Sequence, residues 1–166
     1  YAEAAVVADS LLFLRTSDPE TPTHAIAEAR FQLETTALIA ELTPAEQYSL
    51  SLADSSRVWL QGSAMHAEAS RVAERQLGVR LRLLGESHPD VAASMGDLAD
   101  HLVWLDKVAQ AESLYTRALE VAAEYWGTDH PRTARHLVGL ALTAKFAGQY
   151  ARSESLYNVG IDVYER

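Results

Sequence analysis

The stretch "LGESHPDVA" at residues 84–92 returns as "WGTDHPRTA" at 126–134, so Gly-x-x-His-Pro-x-x-Ala is written twice at an offset of 42. Laid over each other at that offset, residues 84–124 and 126–166 align without a gap. They share Gly85/Gly127, His88/His130, Pro89/Pro131, Leu98/Leu140, Ala99/Ala141 and the run Glu112-Ser113-Leu114-Tyr115 against Glu154-Ser155-Leu156-Tyr157. Several differences keep size, as in Met95/Leu137, Trp104/Phe146 and Leu119/Ile161. A period of this length marks stacked supersecondary units.

Within one unit Met95, Leu98, Ala99 and Leu102 fall on one helical face, and after a break Ala111, Leu114, Tyr115, Ala118 and Ala122 do so again. Each unit is therefore a helical hairpin, and the repeated motif is its punctuation. Gly85 and Gly127 suit the left-handed residue that ends a helix. Pro89 and Pro131 suit the first turn of the next, where no N–H is needed, with Ser87, Asp129 or the preceding His as cap. His88 and His130 read as turn and cap residues rather than metal ligands, since neither has a second His three or four positions on. Ala99, Ala111 and Ala118, with Ala141, Ser153 and Gly160 at the matching places, are small where paired helices must approach closely. Overpacking there would cost about 1–3 kcal/mol.

One period earlier, "AEASRVAERQLGVRLRLLG" at 67–85 lies under residues 109–127, which makes 64–85 a second helix. Its partner is "TPAEQYSLSLADSSRVWLQG" at 43–62, opening with a capping box of Thr43 and Glu46 around Pro44. Gly62 is two residues out of step with Gly148, so a small length change is expected there. Two more helical stretches, about 2–15 and 24–41, flank the loop "TSDPETPT" at 16–23, a hinge or solvent loop that a kinase could modify. The expected fold is all-α, about eight helices in four hairpins at 1–41, 43–85, 88–126 and 130–166, forming one repeat domain over 1–166. A first residue other than Met suggests a piece of a larger protein.

At 48% hydrophobic and 22% charged the chain has an ordinary soluble composition, and no apolar run reaches the roughly 20 residues that span a bilayer. The start carries acids where a signal peptide carries bases, and there is no Cys, which together suggest a cytoplasmic place. The net charge of -9 is uneven: residues 1–62 hold nine acids against three bases, residues 107–166 seven of each. An acidic end of that kind repels phosphate backbones and argues against nucleic acid. On the second helix of the earlier period, Arg71, Arg75, Arg80 and Arg82 form a basic strip that could dock on the acidic third of another copy, head to tail.

No catalytic pattern stands out. The chain has no glycine-rich phosphate loop, no His-Glu-x-x-His, no Gly-x-Ser-x-Gly, and six His without ligand spacing. Asp97, Asp100 and His101 cluster on one helix, and a solvated helix face accounts for them. No cofactor and no enzyme activity is expected.

The pattern Met95, Leu98-Ala99, Leu102, Ala111, Tyr115, Ala118 resembles the tetratricopeptide repeat, and the longer period with "LGESHPDVA" and "AESLYTRALEVAAEYWG" resembles its kinesin-light-chain-like subtype. The resemblance covers 64–166 and implies a right-handed superhelical solenoid whose concave face comes from the first helix of each hairpin. It implies a non-enzymatic module that binds a peptide or partner domain there. The groove positions would be Ala93, Gly96, Asp100, Val103 and Trp104 in one unit, and Arg135, Val138, Leu142, Lys145 and Phe146 in the next. Trp104 and Phe146 would be anchors, or else plugs between neighbouring hairpins, and Arg135 with Lys145 could meet a carboxylate. Where the subtype carries a pair of Asn that clamps a peptide backbone, this chain has Gly96-Asp97 and Val138-Gly139, which favours a partner held by shape and apolar contact. The alternatives are a self-assembling scaffold and the regulatory part of a larger bacterial signalling enzyme. The terminal hairpins contain no obvious polar capping helix, so Leu156, Tyr157 and Ile161 would be buried only if something covers them.

Overall fold

The structure is a computed structural model and describes residues 42–45 and 66–166. Among the described residues lie five helices and no strand: α1 His66–Leu84, α2 Pro89–Trp104, α3 Val108–Trp126, α4 Pro131–Phe146 and α5 Tyr150–Tyr164. The described residues are thus all-helical, as expected. The expected helices at 2–15 and 24–41, the "TSDPETPT" loop, Glu46 and Gly62 lie outside the described residues. Pro44 and Ala45 are helical directly after Thr43. The four residues 42–45 and the five helices belong to separate units of the chain, Tyr1–Tyr48 and Ser49–Arg166.

Each of the five helices packs mainly on its neighbours in sequence, and α2 also touches α4. The joints follow the repeated motif. His88 and His130 are the N-caps of α2 and α4, and their Nδ1 atoms accept from the backbone N–H of Asp90 at 3.2 Å and of Arg132 at 3.1 Å. Of the capping residues open to the sequence reading, His is the one used. Pro89 and Pro131 stand in the first turn behind them. Gly85 and Gly127 have positive φ, and Gly127, with φ 88 and ψ 166, lies in an extended region open essentially to glycine alone rather than in the left-handed helical well.

The other ends of α2 and α4 close in a different way, which the repeat hides because the two residues differ. Asp106 N–H donates to Val103 O at 3.1 Å and Lys107 N–H to Leu102 O at 2.9 Å, while Gly148 N–H donates to Lys145 O and Gln149 N–H to Ala144 O. Both ends are Schellman turns, with the positive-φ residue supplied by Asp106 in one unit and Gly148 in the next.

The core runs through the joints. Val91, Ala92, Met95, Leu98, Ala99, Leu102 and Val103 of α2 pack with Ala111, Tyr115, Ala118 and Val121 of α3, joined by Ala73 and Leu77 of α1 and Leu140 of α4. Ala99, Ala111, Ala118 and Ala141 are fully buried, as close approach demands. Where Ala111 has its counterpart Ser153, the extra hydroxyl is buried and donates to Ala141 O at 2.7 Å. A Cβ on Gly160 would meet Val138 Cγ2 at 3.0 Å, and one on Gly139 would overlap the Tyr115 ring.

Gly139→Ala should therefore lower the unfolding free energy by about 2 kcal/mol or more in urea titration, at the overpacking end of the range. On α5, Tyr150, Val159, Ile161 and Tyr164 are exposed. Amides at 150–166 should exchange faster with deuterium than those at 110–126, and equal protection of the two helices would count against the packing described.

Candidate interaction face

The residues expected on the concave face belong to α2 and α4, and the contact between these helices brings Asp100 to Arg135 and Trp104 to Phe146. At its centre is a polar network. Arg135 of α4 donates to Asp97 Oδ1 of α2 at 2.5 Å and lies 3.6 Å from Asp100 Oδ2. Tyr115 of α3 donates its hydroxyl to Asp100 Oδ1 from beneath. Asp97 is 3% exposed and His101 is buried as well, so the sequence reading of Asp97, Asp100 and His101 as a solvated face is corrected: only Asp100 keeps substantial contact with solvent. The reason lies in neighbouring helices that a single-helix projection leaves out: Arg135 of α4 lies on Asp97, and His66 of α1 packs against His101.

Arg135, expected to meet a partner's carboxylate, is already engaged by two carboxylates of its own chain. Burial raises the Asp100 carboxyl above the ordinary carboxylate range, against the pull of the Tyr115 hydroxyl and the Arg135 charge. Burial also pushes the Tyr115 hydroxyl well up, with the Asp100 charge adding to it.

Two histidines flank the network. His136, next to Arg135, lies against Gly96, where a Cβ would come within 3.1 Å of its ring. It is 4% exposed and its Nδ1 has no hydrogen-bond partner. Burial, with the Arg135 charge beside it, lowers its pKa to about 4, and Asp97 opposes the shift. His101 is lowered too, by burial and by His66, whose Nδ1 sits 3.4 Å from its own.

Toward the C-terminal ends of α2 and α4 the face turns aromatic. Trp104, 57% exposed, meets Phe146, 44% exposed, edge to face at 5.4 Å, and His66 stacks on Trp104 at 5.6 Å. The two aromatics touch across the joint and yet stay open to solvent. Lys145 is exposed, and Val138 and Leu142 are partly buried. Val103 is 1% exposed and belongs to the core, so it offers no surface.

At the opposite ends of the helices Trp126 is stacked on His130 at 4.7 Å, with the Arg132 guanidinium 4.9 Å from the indole centre. A pocket of about 210 Å³ opens beside it between α2, α3 and α4.

The basic strip is only partly formed. Arg71, Arg75 and Arg82 are exposed, whereas Arg80 is buried and donates to Ser94 Oγ at 2.9 Å, in contact with α2. Sequence reasoning also missed the polar roles of Tyr115, His66 and His136. Tyr115 read as a packing residue because Tyr157 repeats it, and the signal lay elsewhere, in the positions where the two units differ: Asp97 against Gly139, Asp100 against Leu142, Arg135 against Ala93, His136 against Ser94.

Residues 96–166 match the family model described as Tetratricopeptide repeat, which together with the helical architecture supports a tetratricopeptide-repeat protein. Repeats of this family generally mediate protein–protein contact and are typically non-enzymatic. No curated protein matches the chain. Among the described residues no group of three His, Asp or Glu could hold a metal ion, and no helix is long and apolar enough to cross a membrane.

Removing the Arg135 guanidinium would strand the buried Asp97 charge. Arg135→Ala should cost about 3 kcal/mol at pH 7, and Asp97→Asn in the same chain should recover much of it, as read by a double-mutant cycle. The neutral ring of His136 contributes its stability above its ordinary pKa of 6.5, and that contribution is lost as pH falls, because the unfolded chain takes up the proton first. Between pH 6.5 and 4 this residue should account for a loss on the order of 3 kcal/mol. His136→Gln should remove its share of the slope in urea midpoints measured across that range.

Proposed function

We propose that the helical repeats form a right-handed solenoid of the kinesin-light-chain-like kind, and that the face built from α2 and α4 binds a peptide segment or a partner domain. The single observation that carries this reading is the Trp104–Phe146 pair. Two large aromatics are held in contact by different repeats and left 57% and 44% exposed. Buried aromatic anchors dominate binding energy in protein interfaces, and a pre-formed pair loses little freedom on binding. Asp100, Val138, Leu142 and Lys145 flank it with mixed polarity, as a rim does. Asp97 is held by Arg135, and Gly139 carries no side chain, so neither can serve as the amide clamp of the subtype. The partner is held through shape and apolar contact. The chain acts as a cytoplasmic, cofactor-free module, on its own or as the regulatory part of a larger enzyme, with a protein rather than nucleic acid or membrane as its target.

A second reading is self-assembly, favoured by the exposed Tyr150, Ile161 and Tyr164 on α5 together with the exposed Arg71, Arg75 and Arg82 on α1. A mass that rises with concentration in light scattering, and falls back in high salt, would favour it over the groove.

Peptides selected from a displayed random library on the intact chain should lose about tenfold or more in affinity on Trp104→Ala and again on Phe146→Ala, while Arg71→Ala leaves them unchanged. Selected peptides indifferent to both aromatic changes would refute the groove reading.

A further inference from the structure

The joint between α1 and α2 holds two histidines that the repeat does not account for. At the matching places of the next joint, between α3 and α4, stand Val108 and Thr143, and the Thr143 hydroxyl donates within its own helix to Gly139 O at 2.8 Å. Packing at such a joint therefore has no need of imidazoles. His66 opens α1, His101 lies in the last turn of α2, and their Nδ1 atoms face each other at 3.4 Å. That is long for a hydrogen bond from an N–H donor, which usually spans about 2.7–3.2 Å. It is the separation of two nitrogens on one tetrahedral zinc ion, about 3.3–3.4 Å for zinc–nitrogen bonds of about 2.0–2.1 Å.

The surroundings suit a cation held by nitrogen. His66 is oriented by stacking on the Trp104 indole, with 15° between the planes, and His101 is buried. Burial, and then His66, lower the pKa of His101, so its ring is neutral at neutral pH and keeps a lone pair for a metal. The carboxylates of Asp97 and Asp100 favour positive charge at His101, and so does the C-terminal end of α2. The N-terminal end of α1 opposes it, and Glu68 in that first turn offsets the opposition. His66 is partly exposed, which leaves a way in from solvent.

We propose that His66 and His101 form a two-nitrogen site for a divalent transition-metal ion of the zinc type, which clips the start of α1 to the end of α2. Both Nδ1 atoms hold the ion and both ring protons sit on Nε2, so the ring that donates in the metal-free pair changes tautomer. Among the described residues no third His, Asp or Glu completes the set, and water fills the remaining positions. With half the ligands of a structural zinc site, the dissociation constant should be on the order of 1–100 micromolar. The ion is a reversible ligand rather than a resident cofactor, and the site stands whatever the α2–α4 face binds.

The test is a titration of zinc sulfate into the intact chain in a non-chelating buffer, followed by calorimetry and by nuclear magnetic resonance. Zinc should move the His66 and His101 ring protons and the Trp104 indole N–H together and saturably, while the His88 and His130 rings stay in place. Magnesium, which prefers oxygen ligands, should move none of them. His66→Phe keeps an aromatic ring to stack on Trp104, and His101→Thr supplies the residue of the next joint. Each should weaken zinc binding about tenfold or more, with the fold checked by circular dichroism. Undiminished binding in either folded variant, an equal response to magnesium, or shifts spread over all the histidines would each overturn the assignment. So would the lack of saturable binding up to about 1 mM zinc. The shift pattern of the unmutated chain decides the point even where a variant does not fold.

Discussion

The close approach of α4 to α3 at Gly139 is the constraint from which the rest of the face follows. Because Gly139 has no side chain, the Tyr115 ring lies against the α4 backbone, where any Cβ would overlap it. From that position the phenol hydroxyl reaches Asp100 on α2, and one residue ties three helices together. Gly96 does a similar service one hairpin earlier by leaving room for the His136 ring. The glycines that matter most in this chain are thus in helix interiors, where glycine weakens a helix by about 1 kcal/mol relative to Ala and needs a packing reason to be there.

On that frame the pairing of buried Asp97 with the half-exposed Arg135 sets alignment. A buried ion pair adds little net stability over apolar residues of the same volume, because desolvation offsets most of the attraction. What it does supply is one preferred register of α4 on α2, since a slip of either helix would strand the buried Asp97 carboxylate. The Trp104–Phe146 contact at the far end and the Trp126 pocket at the near end both depend on that register. Polar network, aromatic pair and pocket all draw on α2 and α4, with α3 adding Tyr115 to the network and Ala122 and Trp126 to the pocket.

The helices, their starts and their small-residue contacts could be read from the 42-residue offset, because each depends on local chemistry that a repeat writes twice. Capping by His88 and His130, Pro89 and Pro131 in the first turn, and burial of Ala99, Ala111 and Ala118 are of this kind. The network could not be read in that way. Periodicity shows which face of α2 Asp97 and Asp100 occupy, but not that α4 covers part of that face. Arg80 misled for a related reason: it falls near the other arginines of α1 in sequence, while its guanidinium turns inward to Ser94. Interactions between repeats come from residues that differ between them, and an alignment of the repeats to each other treats those positions as noise. Asp106 and Gly148 illustrate the point in the backbone, where unlike residues perform the same turn.

The packing of Tyr115 on Gly139 is open to one direct observation, the proton chemical shift of Gly139 Hα in the intact chain. An aromatic ring held against the α4 backbone shields the nearby protons, so at least one Gly139 Hα should be displaced strongly upfield and should return toward the ordinary glycine position in Tyr115→Leu. Gly139 Hα signals at ordinary glycine positions in the unmutated protein would contradict the account at its foundation, because without that contact Tyr115 cannot reach Asp100 from α3.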